Sequence, residues 1–369
     1  MSNHAIRNTI TDKTTKSSRG FSLVELLVVL ALSTGLLGIL FYVFSASKQS
    51  YLAQDAMGEM QENARLAMQE IKEDIRMTGY MGEIQEYWNI EESGSQPLPG
   101  TISNECFTTG FRWVAPFVSV GSGSTPQIPP KITAANNNYA PYGNCISYED
   151  YLINSDTFSL HYAGPSMISD WNATGASSII LRSNLYNGVV YKGNGVDAPP
   201  EPSDWIAAPN TANYPVYAAT YYVRKCHVPG EDGTCATSHD DIPTLVRAIL
   251  QADGSVTTEV VATGVADIQI RFGVDTDATA DGYANRYVDP DDSWLGSFQS
   301  DSKWPRWSRI RTVRVWLLMR SREKLPGYTS NVVTYALGDH TFSTEAGYRY
   351  QLYTSTVAIR NPSGDEDAV

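Results

Sequence analysis

The sequence predicts an α+β chain. A long N-terminal α-helix has a membrane-spanning first half, and its second half packs on an antiparallel, β-sheet-rich C-terminal globular domain with long loops. Three observations predict this. Leu26–Phe44, LLVVLALSTGLLGILFYVF, is 19 residues without a charge. The stretch after it has no proline and repeats apolar residues at steps of three and four, the period of a helix face. Beyond Gly79 the period becomes two, which suits strands with one face buried.

Taken in order, residues 1–20 form a basic leader in which Arg7, Lys13, Lys16 and Arg19 outweigh Asp12. The apolar run follows. At about 1.5 Å per residue it is ~28 Å of helix, close to the ~30 Å hydrocarbon core of a bilayer. Basic residues before the span keep the N-terminus cytoplasmic and send the rest outward. A removed secretory signal is the rival, with small residues Ser45, Ala46 and Ser47 as a cleavage site, but its apolar region would be shorter. The membrane part is placed at 21–44 and the amphipathic part at 46–79. On the latter, Leu52, Ala56, Met60, Ala64, Ala67, Met68, Ile71 and Ile75 form one stripe. Lys48, Asp55, Glu62, Arg65, Gln69, Lys72 and Arg76 form the other face, and Gly79 supplies the stop. Gly35 and Gly38 mark a bend, a close helix contact, or nothing beyond an anchor.

The β-rich domain is placed at 80–369. Residues 82–144 read as loop, rich in Gly, Pro and Asn. Strands are expected in CISYEDYL, TFSLHYA, SSIILRSNL, GVVYK and YAATYYVRKC. The clearest are VADIQIRFGVD, RTVRVWLLMRS and YQLYTSTVAIRN, which alternate most regularly; in the second, Val313, Val315, Leu317 and Met319 share one face. Residues 193–215 and 275–309 read as exposed excursions. No internal repeat is present.

Net charge is −13 overall, and the leader's +3 leaves −16 on the remaining 349 residues. An acidic body argues against nucleic-acid binding, which needs a basic footprint. Cys106, Cys145, Cys226 and Cys235 are even in number and contain no C-x-x-C. In an exported domain they predict two disulfides. CHVPGEDGTC closes a short loop, so Cys226–Cys235 is favoured, leaving Cys106–Cys145. The sharper alternative is zinc on Cys226, His227, Cys235 and His239, for which adjacent Cys and His are poorly spaced. In DTDATADGYANRYVD, the residues Asp275, Asp277, Asp281 and Asp289 are a candidate calcium loop or, as the plainer reading, a solvated acidic turn. No other metal and no cofactor is expected. The five histidines fall in no H-E-x-x-H, and G-x-S-x-G and the Walker loop are absent, so an anchored enzyme is disfavoured.

RGFSLVELLVVLALSTGLL, with Gly20, then Phe21, then Glu25, resembles the type III signal of type IV pilins and type II secretion pseudopilins. YYVRKC, PTLVRAIL, VADIQIRFGVD, VRVWLLMRS and YTSTVAIRN are similar to the larger minor pilins of the PilW kind, and more weakly to the J-type minor pseudopilin. The resemblance implies a type IV pilin-like fold and a structural, non-catalytic role. It implies cleavage between Gly20 and Phe21 by the prepilin peptidase, with methylation of the new amine. It implies priming of fibre assembly with other minor pilins and with the major pilin, and residence at or near the pilus tip, where a tip adhesin is a candidate partner. The expected location is the inner membrane, single-pass with the domain periplasmic, and then the fibre. Glu25 is expected to meet the amine of a neighbouring subunit, against the plainer reading of a charge that snorkels to the headgroups. Two departures favour a minor subunit: no proline occurs from Phe21 to Gly79, where many major pilins have one near the place of Tyr42, and the mature chain is longer than a typical major pilin. A minor pseudopilin of a secretion or DNA-uptake machine is the alternative.

Overall fold

A 55-residue helix, α1 (Leu23–Met77), is the first element of the computed structural model. The structure describes residues 20–84, 90–93, 95–96, 106, 130–168, 179–193, 198–201, 205–238, 240–251, 254–300, 303–326, 328 and 332–361. Helix α1 starts on a reciprocal cap. The Ser22 hydroxyl accepts from Val24 N–H at 3.2 Å, and the Glu25 carboxylate accepts from Ser22 N–H at 3.3 Å. It stops where Gly79 turns to φ +78, a conformation that an L side chain resists. A Cβ there would also lie 2.8 Å from the Asn361 carbonyl.

The chain divides into two compact units, residues up to Leu52 and Ala53–Val369. In the first, the side chains of the apolar run are exposed, and the helix is continuous through Gly35 and Gly38. Thr34 and Ser33 return their hydroxyls to the Leu30 carbonyl at 2.9 and 3.0 Å, which satisfies them without water. In the second unit the expected stripe is realised from Met60 on: Met60, Ala64, Ala67, Met68, Ile71 and Ile75 are buried in the main core, whereas Ala56, and Leu52 in the first unit, are only half-buried.

Fourteen strands follow among the described residues. The larger sheet holds eight: β1 (Ile90–Glu92), β2 (Ile132–Ala135), β3 (Thr157–Ala163), β4 (Ile179–Ser183), β5 (Gly188–Lys192), β6 (Ala212–Arg224), β7 (Thr244–Leu250) and β8 (Val256–Thr263). Its hub is the 13-residue β6, which pairs with β3, β4 and β7. A four-stranded sheet runs β10 (Arg286–Val288), β9 (Val265–Val274), β11 (Ile310–Arg320), β14 (Tyr350–Ala358). A hairpin, β12 (Thr334–Leu337) and β13 (His340–Ser343), stands apart from both. Among the described residues all pairings are antiparallel except β1 with β5. The inward residues Ile268, Ile270, Phe272, Val313, Val315 and Leu317 share one core with the second half of α1.

Four expectations need correction. CISYEDYL is not a strand: Ser147 and Asp150 bond each other's side chain and backbone into a turn, and only Tyr151 bridges Arg224. Residues 82–144 are not all loop. They contain β1 and β2, and β2 has all four residues buried, so no alternation betrays it. The stretch 193–215 is not all an excursion, because β6 begins at Ala212. Nor is 275–309 wholly exposed: it holds the strand β10 and the short helix α2 (Trp304–Trp307), and it sends Leu295, Phe298 and Trp307 into the core. There Trp307 meets Phe272 and Phe298 edge-on at 5.5 and 5.6 Å. The outward face of β11 is also less open than its pattern suggests. Leu318, Ala266 and Leu337 form a small second core under the β12–β13 hairpin.

Candidate processing and assembly site

Gly20 and Phe21 precede α1 in exposed chain outside any helix or strand, and a Cβ on Gly20 would meet nothing within 4 Å. The space around Gly20 in the folded chain therefore does not require glycine. Four residues on from Phe21, Glu25 lies in the first turn of α1. One of its oxygens closes the cap on Ser22 N–H, and the other makes no bond among the described residues. An acid in the first turn also complements the positive end of the helix dipole. The S-x-x-E spacing of this capping box was legible in SLVE, and the sequence reading missed it. So Glu25 has a local role that any assembly role must be separated from.

The four cysteines pair as expected, Cys106 with Cys145 and Cys226 with Cys235. This overturns the zinc reading, because both thiolates it needs are spent in a disulfide; His239 lies outside the described residues. The Cys226–Cys235 loop is held by more than its bridge. Arg224 donates to the carbonyls of Cys226 (3.0 Å) and His227, and Asp240 accepts from His227 and Val228 N–H at 2.7 and 2.8 Å.

Of the four acidic-loop residues, the structure brings Asp275, Asp277 and Asp281 together, with one carboxylate oxygen of each within 4.8 Å of the others. Asp289 is elsewhere, in an ion pair with Arg271. Asp275 is fully buried and accepts from Gly282 and Asp277 N–H at 2.9 and 3.2 Å, with Arg311 at 4.0 Å. These bonds close a turn, which is not the solvated one of the plainer reading, because Asp275 is buried while Asp277 and Asp281 are exposed.

Sequence reasoning was silent on Asp74, which fastens α1 to the larger sheet. It accepts from the hydroxyls of Tyr162 (2.8 Å), Tyr221 and Tyr217 (3.4 Å), with Arg247 at 3.6 Å. Burial pushes its carboxyl up, opposed by the Tyr221 and Tyr162 bonds and by Arg247. Arg247 also reaches Glu70 and Glu259 at 3.1 and 3.3 Å. The signal was present: a carboxylate between Ile71 and Ile75 sits on the apolar stripe and must find partners inside.

Comparison with known families gives two matches. Residues 220–361 match the model of Type IV Pilus-assembly protein W, which covers β7 to β14 and the end of β6. Residues 15–41 match the prokaryotic N-terminal methylation motif, which spans Gly20, Phe21, Glu25 and most of the apolar run. Neither a curated protein nor a solved structure is similar enough to match.

Proposed function

We propose that this chain, which those two matches mark as a type IV pilus-associated, pilin-like protein of the PilW type, is a minor and non-catalytic subunit of the fibre. In this reading it enters the inner membrane through the apolar half of α1, with its domain in the periplasm. The prepilin peptidase removes residues 1–20 and methylates the amine of Phe21. The subunit then joins other minor pilins to prime assembly and stays with them at or near the tip, in contact with the major pilin.

The observation that carries the reading is the order of parts at the N-terminus: basic leader, Gly20, Phe21, a carboxylate at Glu25, then a run long enough to cross a bilayer. A carboxylate in hydrocarbon costs about 2.5–3.5 kcal/mol on insertion scales, and pairing with an amine offsets much of it. Glu25 with its free oxygen would thus admit a subunit only when its neighbour's amine stands in register.

The capping box makes the test sharp. Glu25→Gln keeps an acceptor for Ser22 N–H, since glutamine serves in this box, and removes the charge. All variants should insert and be cleaved. If the charge sets register, Glu25→Gln and Glu25→Ala both fail to co-purify with the other minor pilins, while Glu25→Asp retains part of the interaction. If Glu25→Gln assembles normally and only Glu25→Ala is impaired, the residue is a helix cap and the register role is wrong.

A further inference from the structure

Strand β14 forms an edge of the four-stranded sheet and, among the described residues, pairs only with β11. The bonds from Ile359 N–H to the Arg311 carbonyl and from Ser321 N–H to the Arg349 carbonyl fix which residues face inward. By strand alternation Gln351, Tyr353, Ser355 and Val357 turn their backbone groups to β11. Leu352, Thr354, Thr356 and Ala358 turn theirs outward. Proteins usually blunt such an edge with charge, proline or a bulge. The nine residues YQLYTSTVA have no charge and no proline, and the register with β11 is unbroken along their length. The other long edge, β8, is treated differently: it carries Glu259, paired with Arg247, and its ladder is bulged near Val246.

Beside the open edge runs a groove of about 480 Å³ between β14 and the second half of α1. Its floor includes Ala64 and Met68, and its strand side is Tyr353 to Ser355. The Tyr353 hydroxyl is buried and has no hydrogen-bond partner among the described residues. On the helix side stand Lys72 and Arg76, neither in an ion pair among the described residues, beside Arg65, which is paired with Glu62, and Glu73, which accepts from Gln69 at 3.0 Å; the wall is therefore net positive. They are one turn apart, about 6 Å along the helix axis, close to the ~6.8 Å between alternate residues of a strand.

We propose that the β14 edge and this groove receive an extended, acidic peptide segment of another protein, added to the sheet as a fifth strand. Its backbone pairs with Leu352, Thr354, Thr356 and Ala358. Acidic side chains two residues apart on that strand meet Lys72 and Arg76. This is strand addition, in which the backbone supplies affinity and alternate side chains supply selectivity. It stands on the sheet edge and the groove, not on the pilus reading, so either can fail alone.

The test uses the full chain in detergent micelles and a synthetic nine-residue peptide that alternates threonine and glutamate. Saturating peptide should slow amide exchange at Leu352, Thr354, Thr356 and Ala358 by about tenfold or more. The same peptide N-methylated at alternate residues should give no protection. Thr354→Pro removes an outward N–H, which an edge strand tolerates, so it should keep the melting temperature and lose the protection. Lys72→Glu with Arg76→Glu should weaken the glutamate peptide severalfold and favour its lysine counterpart. No protection at millimolar peptide, or protection indifferent to N-methylation, overturns the proposal. Amides already protected in the chain alone, and released by removing residues 362–369, would assign the edge to the chain's own terminus and overturn it. Protection that rises with protein concentration would assign the edge to a second copy and overturn it equally.

Discussion

The contact between Asp267 on β9 and His340 on β13 shows how single residues secure a peripheral element. His340 Nδ1 lies 2.8 Å from the Asp267 carboxylate, which is almost wholly buried. The bond to Asp267 raises the pKa of His340 above its usual value against the opposing effect of burial, and Asp339 adds to the rise. Burial pushes Asp267 up, while His340 and Gln269 pull it down. The sign follows from His340. A group with a raised folded pKa lends stability that is fully present below its unfolded value, about 6.5, and is lost as pH climbs through the folded value. The β12–β13 hairpin should therefore be held most firmly on the acid side of neutrality. Amide exchange of residues 334–343 should slow as pH falls from 8 to 6, after correction for intrinsic rates. In His340→Gln that extra protection should vanish. An unchanged pH profile in the variant would show that Leu337 and Leu318 hold the hairpin without the ion pair.

At the scale of elements, legibility follows how far local pattern and tertiary cover agree. Helix α1 was readable because its stripe from Met60 to Ile75 repeats cleanly, and β9, β11 and β14 because they alternate. Strand β2 was hidden because ITAA is covered on both faces. Burial of Phe298 and Trp307 was hidden because Gly, Pro and Asp surround them in sequence, although two large aromatics seldom stay in water. At the site, Gly20, Phe21, Glu25 and both disulfides were readable from short motifs and spacing. The Asp74 cluster was not, because its partners lie 88 to 173 residues away along the chain. The disulfides give the prediction at this scale. They close loops with sequence separations of 39 and 9, which in the chain-entropy account correspond to about 4 and about 2.6 kcal/mol. Cys106→Ser with Cys145→Ser should thus lower the melting temperature more than Cys226→Ser with Cys235→Ser. The shorter loop also keeps its bonds to Arg224 and Asp240 when the bridge is cut, which favours the same order. Equal losses in denaturant unfolding would show that native contacts, not loop closure, set the cost.

For the whole molecule, the decisive feature is that the division into units falls inside α1, after Leu52, and not where the helix ends. The sequence places a boundary at 79/80, since periodicity changes there. Packing places the second half of the helix in the core. Met60, Met68, Ile71 and Ile75 are each at least nine-tenths buried, and Ala64 and Ala67 fully so. Losing one buried Met or Ile costs about 2–5 kcal/mol, so losing four costs about 8–20 kcal/mol, as much as the ~5–15 kcal/mol that holds a typical domain together. Removing Asp74 as well would leave the hydroxyls of Tyr162 and Tyr221 inside without their acceptor, and Arg247 with Glu259 alone. Such orphaned groups cost about 1–3 kcal/mol each. A chain that starts at Ala53 should therefore fold in water without detergent and melt cooperatively, within a few degrees of the full chain's domain. A chain that starts at Tyr80 keeps every strand and both disulfides and should still fail, with broad thermal melting and rapid amide exchange in β3, β6 and β7. The comparison needs only circular dichroism and exchange on two truncations. A cooperative transition at the same temperature in the shorter chain would mean that the sheets carry their own core and that the helix merely lies on it. The expected failure would mean that the helix that carries the apolar run also completes the domain, through Asp74 and the stripe from Met60 to Ile75.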